Sequence, residues 1–173
     1  RAFVQPKYQS AEMGRKSLFA LDNLWDGIGG LVATDPSIKY LAGKVTIYST
    51  SPDKSRKAMI YYLEKFFGDR EKMLVSKHPE TCTDEERTEF DAMFCADTAK
   101  ENYKILNNFV KSMNDSIPPL IHSYIELSSS MKTFGTTFDP DFGDCYDTAM
   151  IITINDIYEP KKKRYIESYF EQK

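Results

Sequence analysis

Cysteine, histidine and long apolar runs are scarce in this 173-residue sequence, and each scarcity argues against a class of protein. The three cysteines are odd in number and show no Cys-x-x-Cys spacing, so neither a disulfide framework nor a cysteine zinc site is expected. The two histidines, His78 and His122, lie near no nucleophile motif, and we interpret both as structural. No apolar run approaches the roughly 20 residues of a membrane-spanning helix.

Strong charge of one sign is also missing. The net charge is −3, with acids and bases interleaved, which argues against nucleic acid as the main partner. Hydrophobic residues make up 41% and aromatic residues 13% of the chain, so a packed domain is expected. We expect a cytoplasmic protein with reduced thiols and no bound metal.

Hydrophobic periodicity predicts strands and helices in alternation, which favours an α/β layer fold. Strands are predicted over residues 1–5, 40–49, 73–77 and 149–154. The first helix is predicted from Ser17, with its apolar face at Leu18, Leu21, Leu24, Trp25, Ile28, Leu31 and Val32. Further helices are predicted after Pro52, after the Thr83/Glu86 capping box, over 97–113, after Pro118-Pro119 and near the end of the chain.

Glycines mark two places where the predicted backbone is unusual. Gly27, Gly29 and Gly30 lie inside the first helix, which indicates a close approach by another segment or an early helix end. Gly43, near the start of the second strand, indicates a β-bulge.

Two loops are candidates for chemistry. The basic loop from Pro6 to Lys16 precedes a helix and is either an anion site or an ordinary solvated loop. In the acidic loop after Phe138, the carboxylates of Asp139, Asp141, Asp144 and Asp147 can hold an amine, act as a base or bind a hard cation. The alternative is that Asp-Pro-Asp is turn chemistry.

A basic run, Lys161-Lys162-Lys163-Arg164, begins the last helix. Cations in a first turn oppose the helix dipole, so the run is not there for helix stability. It is either a solvated face or a contact with an acidic partner or an anionic membrane surface.

Five stretches together resemble one known family. They are Arg1-Ala2-Phe3-Val4-Gln5-Pro6-Lys7-Tyr8-Gln9, Leu24-Trp25-Asp26-Gly27-Ile28-Gly29, residues 39–47 (KYLAGKVTI), Ile117-Pro118-Pro119-Leu120 with Tyr124, and Phe138-Asp139-Pro140-Asp141-Phe142 with Asp147. In this order they are similar to motifs of the ornithine and glycine N-acyltransferases that carry the label hemolysin. That family is a branch of the GNAT superfamily related to acyl-homoserine-lactone synthases.

The resemblance implies an α+β GNAT-like fold: a mixed central sheet flanked by helices, with a helical insertion around 83–113. It implies that 1–173 is one domain, the C-terminal major part of the full one. Strands 1–5 and 40–49 would be parallel neighbours that splay around the pantetheine of an acyl donor. Donor contacts would come from Phe3, Val4, Gln9, Gly14, Arg15, Lys16, Val45 and Ile47.

The implied reaction is transfer of a fatty acyl group from acyl-ACP or acyl-CoA, as co-substrate, to the α-amine of ornithine or glycine in aminolipid synthesis. Asp139, Asp141 and Ser49 are the catalytic candidates. Acceptor contacts would come from Trp25, Tyr124, Phe142 and Asp147. No tightly bound cofactor is implied, and peripheral contact with the inner face of the cell membrane is expected.

The sequence departs from the family pattern at several points. Gly43-Lys44 replaces the usual Gly-Pro, and one extra residue separates Phe142 from Asp147. An acidic residue that often precedes the family's first matching strand falls before Arg1. Two alternatives therefore stay open: a non-catalytic acyl-carrier or lipid-binding module with the same fold, and an enzyme with homoserine-lactone synthase-like chemistry.

Overall fold

The computed structural model describes residues 20–171, and side chains within 22–170. The helices are α1 Ala20–Thr34, α2 Asp53–Phe67, α3 Asp84–Met93, α4 Ala99–Ser112, α5 Pro119–Ile125, α6 Glu159–Lys162 and α7 Ser168–Glu171. The strands are β1 Tyr40–Tyr48, β2 Lys132–Asp139 and β3 Cys145–Thr153. Single 3-10 turns occupy Pro140–Phe142 and Ile154–Asp156, and a π turn, Lys163–Glu167, joins α6 to α7.

The described sheet is antiparallel, in the order β1-β3-β2. Together with the helices it forms an α+β architecture, which confirms the predicted fold class. The buried strand predicted over 149–154 is the central strand and begins earlier, at Cys145. The predicted strand over 1–5 lies outside the described residues.

The chain divides into two compact units. One contains the described residues 20–39 and 157–171, and the other is Tyr40–Asp156. In the second unit, α2 covers one face of the sheet, where Val45, Ile47, Met150 and Ile152 are buried, as strand alternation predicts. The helices predicted around 83–113 are confirmed as α3 and α4.

The α3 helix begins at the predicted capping box. The Glu86 N–H donates to the Thr83 hydroxyl at 3.2 Å, and the Thr83 N–H donates to the Glu86 carboxylate at 2.8 Å. Phe90 and Phe94 are buried on one side of this segment, where their rings contact the ring of Tyr61 on α2.

The first unit pairs α1 with the helical segment at the end of the chain. An ideal Cβ at Gly29 would lie 1.8 Å from the Tyr165 carbonyl oxygen, so the predicted close approach at the helix glycines is confirmed. Leu31 was expected on the apolar face, but its side chain is 65% exposed. The buried stripe runs through Trp25, Gly29 and Val32, and Leu31 lies off that stripe.

The predicted strand over 73–77 is wrong. Met73, Leu74 and Val75 are exposed in a loop. The Asp69 carboxylate accepts hydrogen bonds from the backbone N–H groups of Glu71 and Met73. These N–H groups are therefore used in a local turn and are not available to a neighbouring strand.

The bulge predicted at Gly43 is also wrong, because β1 pairs with β3 in continuous register. The irregularity lies in β2 between Thr133 and Thr136, where Gly135 has φ +85°. No strand is predicted here from the sequence, because Gly135 and the three serines of residues 128–130 are typical of a turn. Gly135 supplies the left-handed residue that the bulge requires.

Candidate functional site

The acidic loop meets β1 at one lysine. The Lys44 Nζ forms an ion pair with Asp147 and lies 3.9 Å from Asp139 Oδ2. The Thr46 hydroxyl donates to Asp147 Oδ1 at 2.6 Å. The Phe142 ring centroid lies 4.5 Å from the same Nζ. Two carboxylates and an aromatic face thus surround one ammonium; we call these five residues the Lys44 cluster.

Strand register explains why residues so distant in sequence meet. Thr46 pairs with Asp147 across the β1–β3 ladder, so their side chains share a face of the sheet. Asp139 is the last residue of β2, opposite Cys145. The 3-10 turn after it carries Phe142 back over the strands, and Gly143 (φ +79°) and Asp144 (φ +50°) return the chain into β3.

The two carboxylates differ in exposure. The Asp147 side chain is 9% exposed, and it accepts from both Lys44 and Thr46. The Asp139 side chain is 31% exposed, and its contact with Lys44 is long. The cluster therefore has a fixed, buried acid and a more accessible one beside a lysine whose side chain is 44% exposed.

Two further catalytic candidates lie near this end of the sheet but outside the cluster. Asp141 is exposed in the 3-10 turn, and Ser49 is exposed in the turn that follows β1. The register places the end of β1 and the end of β2 opposite the same residue, Cys145. The structure thus brings Asp139, Phe142 and Asp147 together, with Asp141 at the rim because it lies between Asp139 and Phe142 in the chain. Ser49 lies outside the cluster.

Tyr124 belongs to the opposite face of the sheet. It is half-buried on α5, and its hydroxyl would be 2.9 Å from an ideal Cβ at Gly43. Burial raises the pKa of the Tyr124 phenol. Gly43 alternates with Lys44, so the strand separates Tyr124 from the Lys44 cluster.

Of the residues predicted to contact the donor, two lie in the core and six lie outside the described residues. Phe3, Val4, Gln9, Gly14, Arg15 and Lys16 lie outside the described residues. Val45 and Ile47 are 1% and 0% exposed, so neither residue presents surface to a ligand in this structure. Within residues 20–171, β1 pairs with a strand on one edge only. Trp25 lies in the first unit, 7% exposed, with its ring 6.4 Å from that of Tyr165.

Neither buried cysteine is a competing nucleophile. Burial raises the pKa of the Cys82 thiol to about 11, and burial also raises the pKa of Cys145. Both thiols are therefore protonated at neutral pH and suit packing. Among the described side chains, no group of three or more His, Cys, Asp or Glu residues is placed to hold a metal ion.

Comparison with curated proteins gives two relatives with the same name. The chain is 44% identical over 173 residues to a glycine N(alpha)-acyltransferase of Phocaeicola vulgatus, covering 99% of this chain and 52% of the relative. It is 43% identical over 174 residues to a glycine N(alpha)-acyltransferase of Bacteroides thetaiotaomicron, covering 99% and 50%. The chain thus spans about half the length of the curated relatives it matches. No family model and no solved structure matches it.

The basic run of the last helix has an intramolecular partner in the first unit. Arg164 lies 2.5 Å from Asp22 and 3.7 Å from Asp26, both on α1. In the part of the chain that the structure describes, no helix is both long and apolar enough to span a bilayer.

Sequence reasoning missed Lys44 as a site residue. Its signal was present, since Lys44 replaces the proline that the family pattern has there and alternates with buried Val45. Without β2 and its register, nothing in the sequence placed the acidic loop beside it.

Proposed function

We propose that this chain is part of an N-acyltransferase. The enzyme moves a fatty acyl group from a thioester, carried by acyl carrier protein or CoA, to the α-amine of an amino acid. Glycine is the first candidate acceptor, because both relatives are named for it. Ornithine is the second, and an N-acyl aminolipid is the product. Similarity over 99% of this chain supports the proposal.

The observation that carries the site assignment is the position of the Lys44 ammonium. A primary ammonium lies between Asp139 and Asp147 and against the Phe142 ring, so these groups already accommodate the chemical group that an amino-acid acceptor presents. In our proposal the acceptor ammonium takes this place beside Asp139. The displaced Lys44 Nζ then pairs with the acceptor carboxylate.

The chemistry follows from that arrangement. Asp139, assisted by Asp141 at the rim, accepts a proton from the acceptor ammonium. The neutral amine attacks the thioester carbonyl and forms the C–N bond. The C–S bond then breaks, and the leaving thiolate takes up the second proton that the attached nitrogen loses, which gives the amide and the free thiol. Ser49 donates a hydrogen bond to the oxyanion of the tetrahedral intermediate.

The donor enters along β1. An extended pantetheine arm adds to a strand edge through backbone hydrogen bonds, and β1 offers such an edge within the described residues. Phe3 and Val4 are proposed to line the other side of the arm, with Gln9, Gly14, Arg15 and Lys16 at its phosphate. Tyr124 lies on the opposite face of the sheet and is therefore left out of the proposed acceptor site.

Acceptor discrimination tests the site in the full-length protein. With an acyl-ACP or acyl-CoA donor, we expect Lys44→Met to lower kcat/KM for glycine about 10- to 100-fold, because a charged hydrogen bond to the carboxylate is lost. The same variant should leave glycinamide, which has no carboxylate, within threefold of wild type. Asp139→Ala should lower turnover of both acceptors and keep donor binding.

Lys104→Met, an exposed lysine on α4, is the matched control and should leave both acceptors unchanged. Equal losses of kcat/KM for glycine and glycinamide in Lys44→Met would show that Lys44 does not bind the acceptor carboxylate. If no acceptor amino acid releases thiol from the donor, the non-catalytic lipid-binding alternative replaces the enzyme. A lactone product would favour the homoserine-lactone synthase-like alternative.

A further inference from the structure

A cavity of about 340 Å³ lies at the β2 edge of the sheet, away from the Lys44 cluster. Its walls are α2, the β2 bulge and the loop of residues 69–79, which we call the arch. The size falls in the range of small-molecule sites. Six apolar side chains line it: Ile60, Leu63, Leu74, Val75, Pro79 and Phe134.

The arch is anchored to β2 at both ends. The Asp69 N–H donates to the Thr133 carbonyl at 2.9 Å, and the Glu80 N–H donates to the Thr136 carbonyl at 2.7 Å. Between these anchors, Leu74, Val75 and Ser76 of the arch and Phe134 and Gly135 of the bulge line the cavity. Leu74 and Val75, at the tip, are 60% and 74% exposed while lining the cavity.

Several polar side chains that line the cavity are paired within the protein, and Lys72, Ser76 and Thr81 also line it. Thr136 and Thr148 hydroxyls bond each other at 2.7 Å, and the Thr133 hydroxyl donates to the Leu63 carbonyl at 3.3 Å. Asp69 accepts two backbone N–H groups, as described above. Glu64 is paired with Arg87 at 3.5 Å and Glu80 lies 3.9 Å from Lys57. The walls therefore favour a hydrocarbon over a polar ligand.

We propose that this cavity binds the hydrocarbon tail of a long-chain acyl group, with Leu74 and Val75 of the arch closing over it. The inference rests on the proposed function for its ligand class, since an acyl donor and an N-acyl product both carry such a tail. Thr148 lines the cavity, whereas the preceding residue, Asp147, belongs to the Lys44 cluster on the opposite face of the sheet. A tail bound there while its carbonyl is at the acceptor site must pass round the β2 edge of the sheet, so a long chain is required.

Fluorescent fatty-acid binding tests the cavity without turnover. In the full-length protein, we expect the double variant Leu74→Asp, Val75→Asp to weaken binding of cis-parinaric acid at least tenfold. Displacement of the probe by saturated fatty acids should improve roughly fourfold per methylene until the cavity is full. Met73→Asp is the matched control, because Met73 is 51% exposed on the same arch and does not line the cavity.

Kinetics then separate the two sources of the tail. If the donor tail binds there, the double variant loses kcat/KM for a C16 donor and keeps it for a C8 donor. If the product tail binds there, inhibition by N-palmitoyl glycine is lost and the donor profile is unchanged. Wild-type probe affinity in the double variant, or an equal loss in Met73→Asp, overturns the proposal. Probe binding with no N-acyl product from any acceptor would instead overturn the proposed function alone.

Discussion

At the residue scale, the glycines of α1 give a matched pair for stability. A methyl group at Gly29 would overlap the Tyr165 carbonyl, whereas an ideal Cβ at Gly27 has no atom within 4 Å. We expect Gly29→Ala to lower the free energy of unfolding by about 1–3 kcal/mol through overpacking. Gly27→Ala should raise it by up to about 1 kcal/mol through helix propensity. Urea unfolding measures both, and a stabilised Gly29→Ala would contradict the close packing.

The Asp22 carboxylate gives a pH-dependent prediction at the same scale. Hydrogen bonds from Tyr165, at 2.5 Å, and from Arg164 lower its pKa below the ordinary 3.8. Burial and the bond to Asp22 raise the pKa of Tyr165 to about 12. Because its folded-state pKa is below 3.8, the Asp22 carboxylate stabilises the fold at pH values above 3.8. This stabilisation is lost as the pH falls through the folded-state pKa.

Tyr165→Phe should therefore cost about 0.5–1.5 kcal/mol of unfolding free energy at pH 7, and the hydrogen-bond part of this cost should shrink below pH 3.8. NMR titration should show the Asp22 pKa returning toward its ordinary value. Tyr158→Phe, an exposed tyrosine in the same unit, is the control. An Asp22 pKa that does not change in Tyr165→Phe would show that the Tyr165 hydroxyl does not stabilise the Asp22 carboxylate.

At the element scale, local signals predicted helices better than the sheet. The Thr83/Glu86 pair marked the start of α3 because a capping box is contained in four residues. Strand alternation accounts for the burial of Val45 and Ile47, which were predicted as donor contacts. The Lys44 cluster depends on which strands pair and in which register. Because Gly135 is typical of a turn, the sequence did not predict β2. No local pattern carries that information, so Lys44 was not assigned beside the acids.

The start of α4 repeats the capping box of α3, and sequence reasoning did not use it. The Glu101 N–H donates to the Thr98 hydroxyl at 3.2 Å, and the Thr98 N–H donates to the Glu101 carboxylate at 3.1 Å. We expect Thr98→Ala to cost about 0.5–2 kcal/mol in thermal unfolding. Lys100→Ala, an exposed change in the same turn, should stay within about 0.5 kcal/mol. Equal effects would mean that the cap does not contribute.

At the scale of the whole molecule, the two compact units differ in their continuity in sequence. The second unit, Tyr40–Asp156, is one continuous segment built on the β1-β3-β2 sheet. The described part of the first unit pairs α1 with the helical segment after Ile157. Because each has its own packed contacts, we expect them to open as separate cooperative units.

Hydrogen exchange with Gly29→Ala tests that separation. The overlap with Tyr165 acts within the first unit, so exchange should accelerate at amides of 20–34 and 159–171 by the factor that the loss of stability gives, about tenfold per 1.4 kcal/mol. Amides of β3, such as those of Met150 and Ile152, should keep wild-type protection. Uniform acceleration throughout residues 20–171 would instead show one cooperative unit, in which strain at the α1 glycines reaches the sheet that carries the Lys44 cluster.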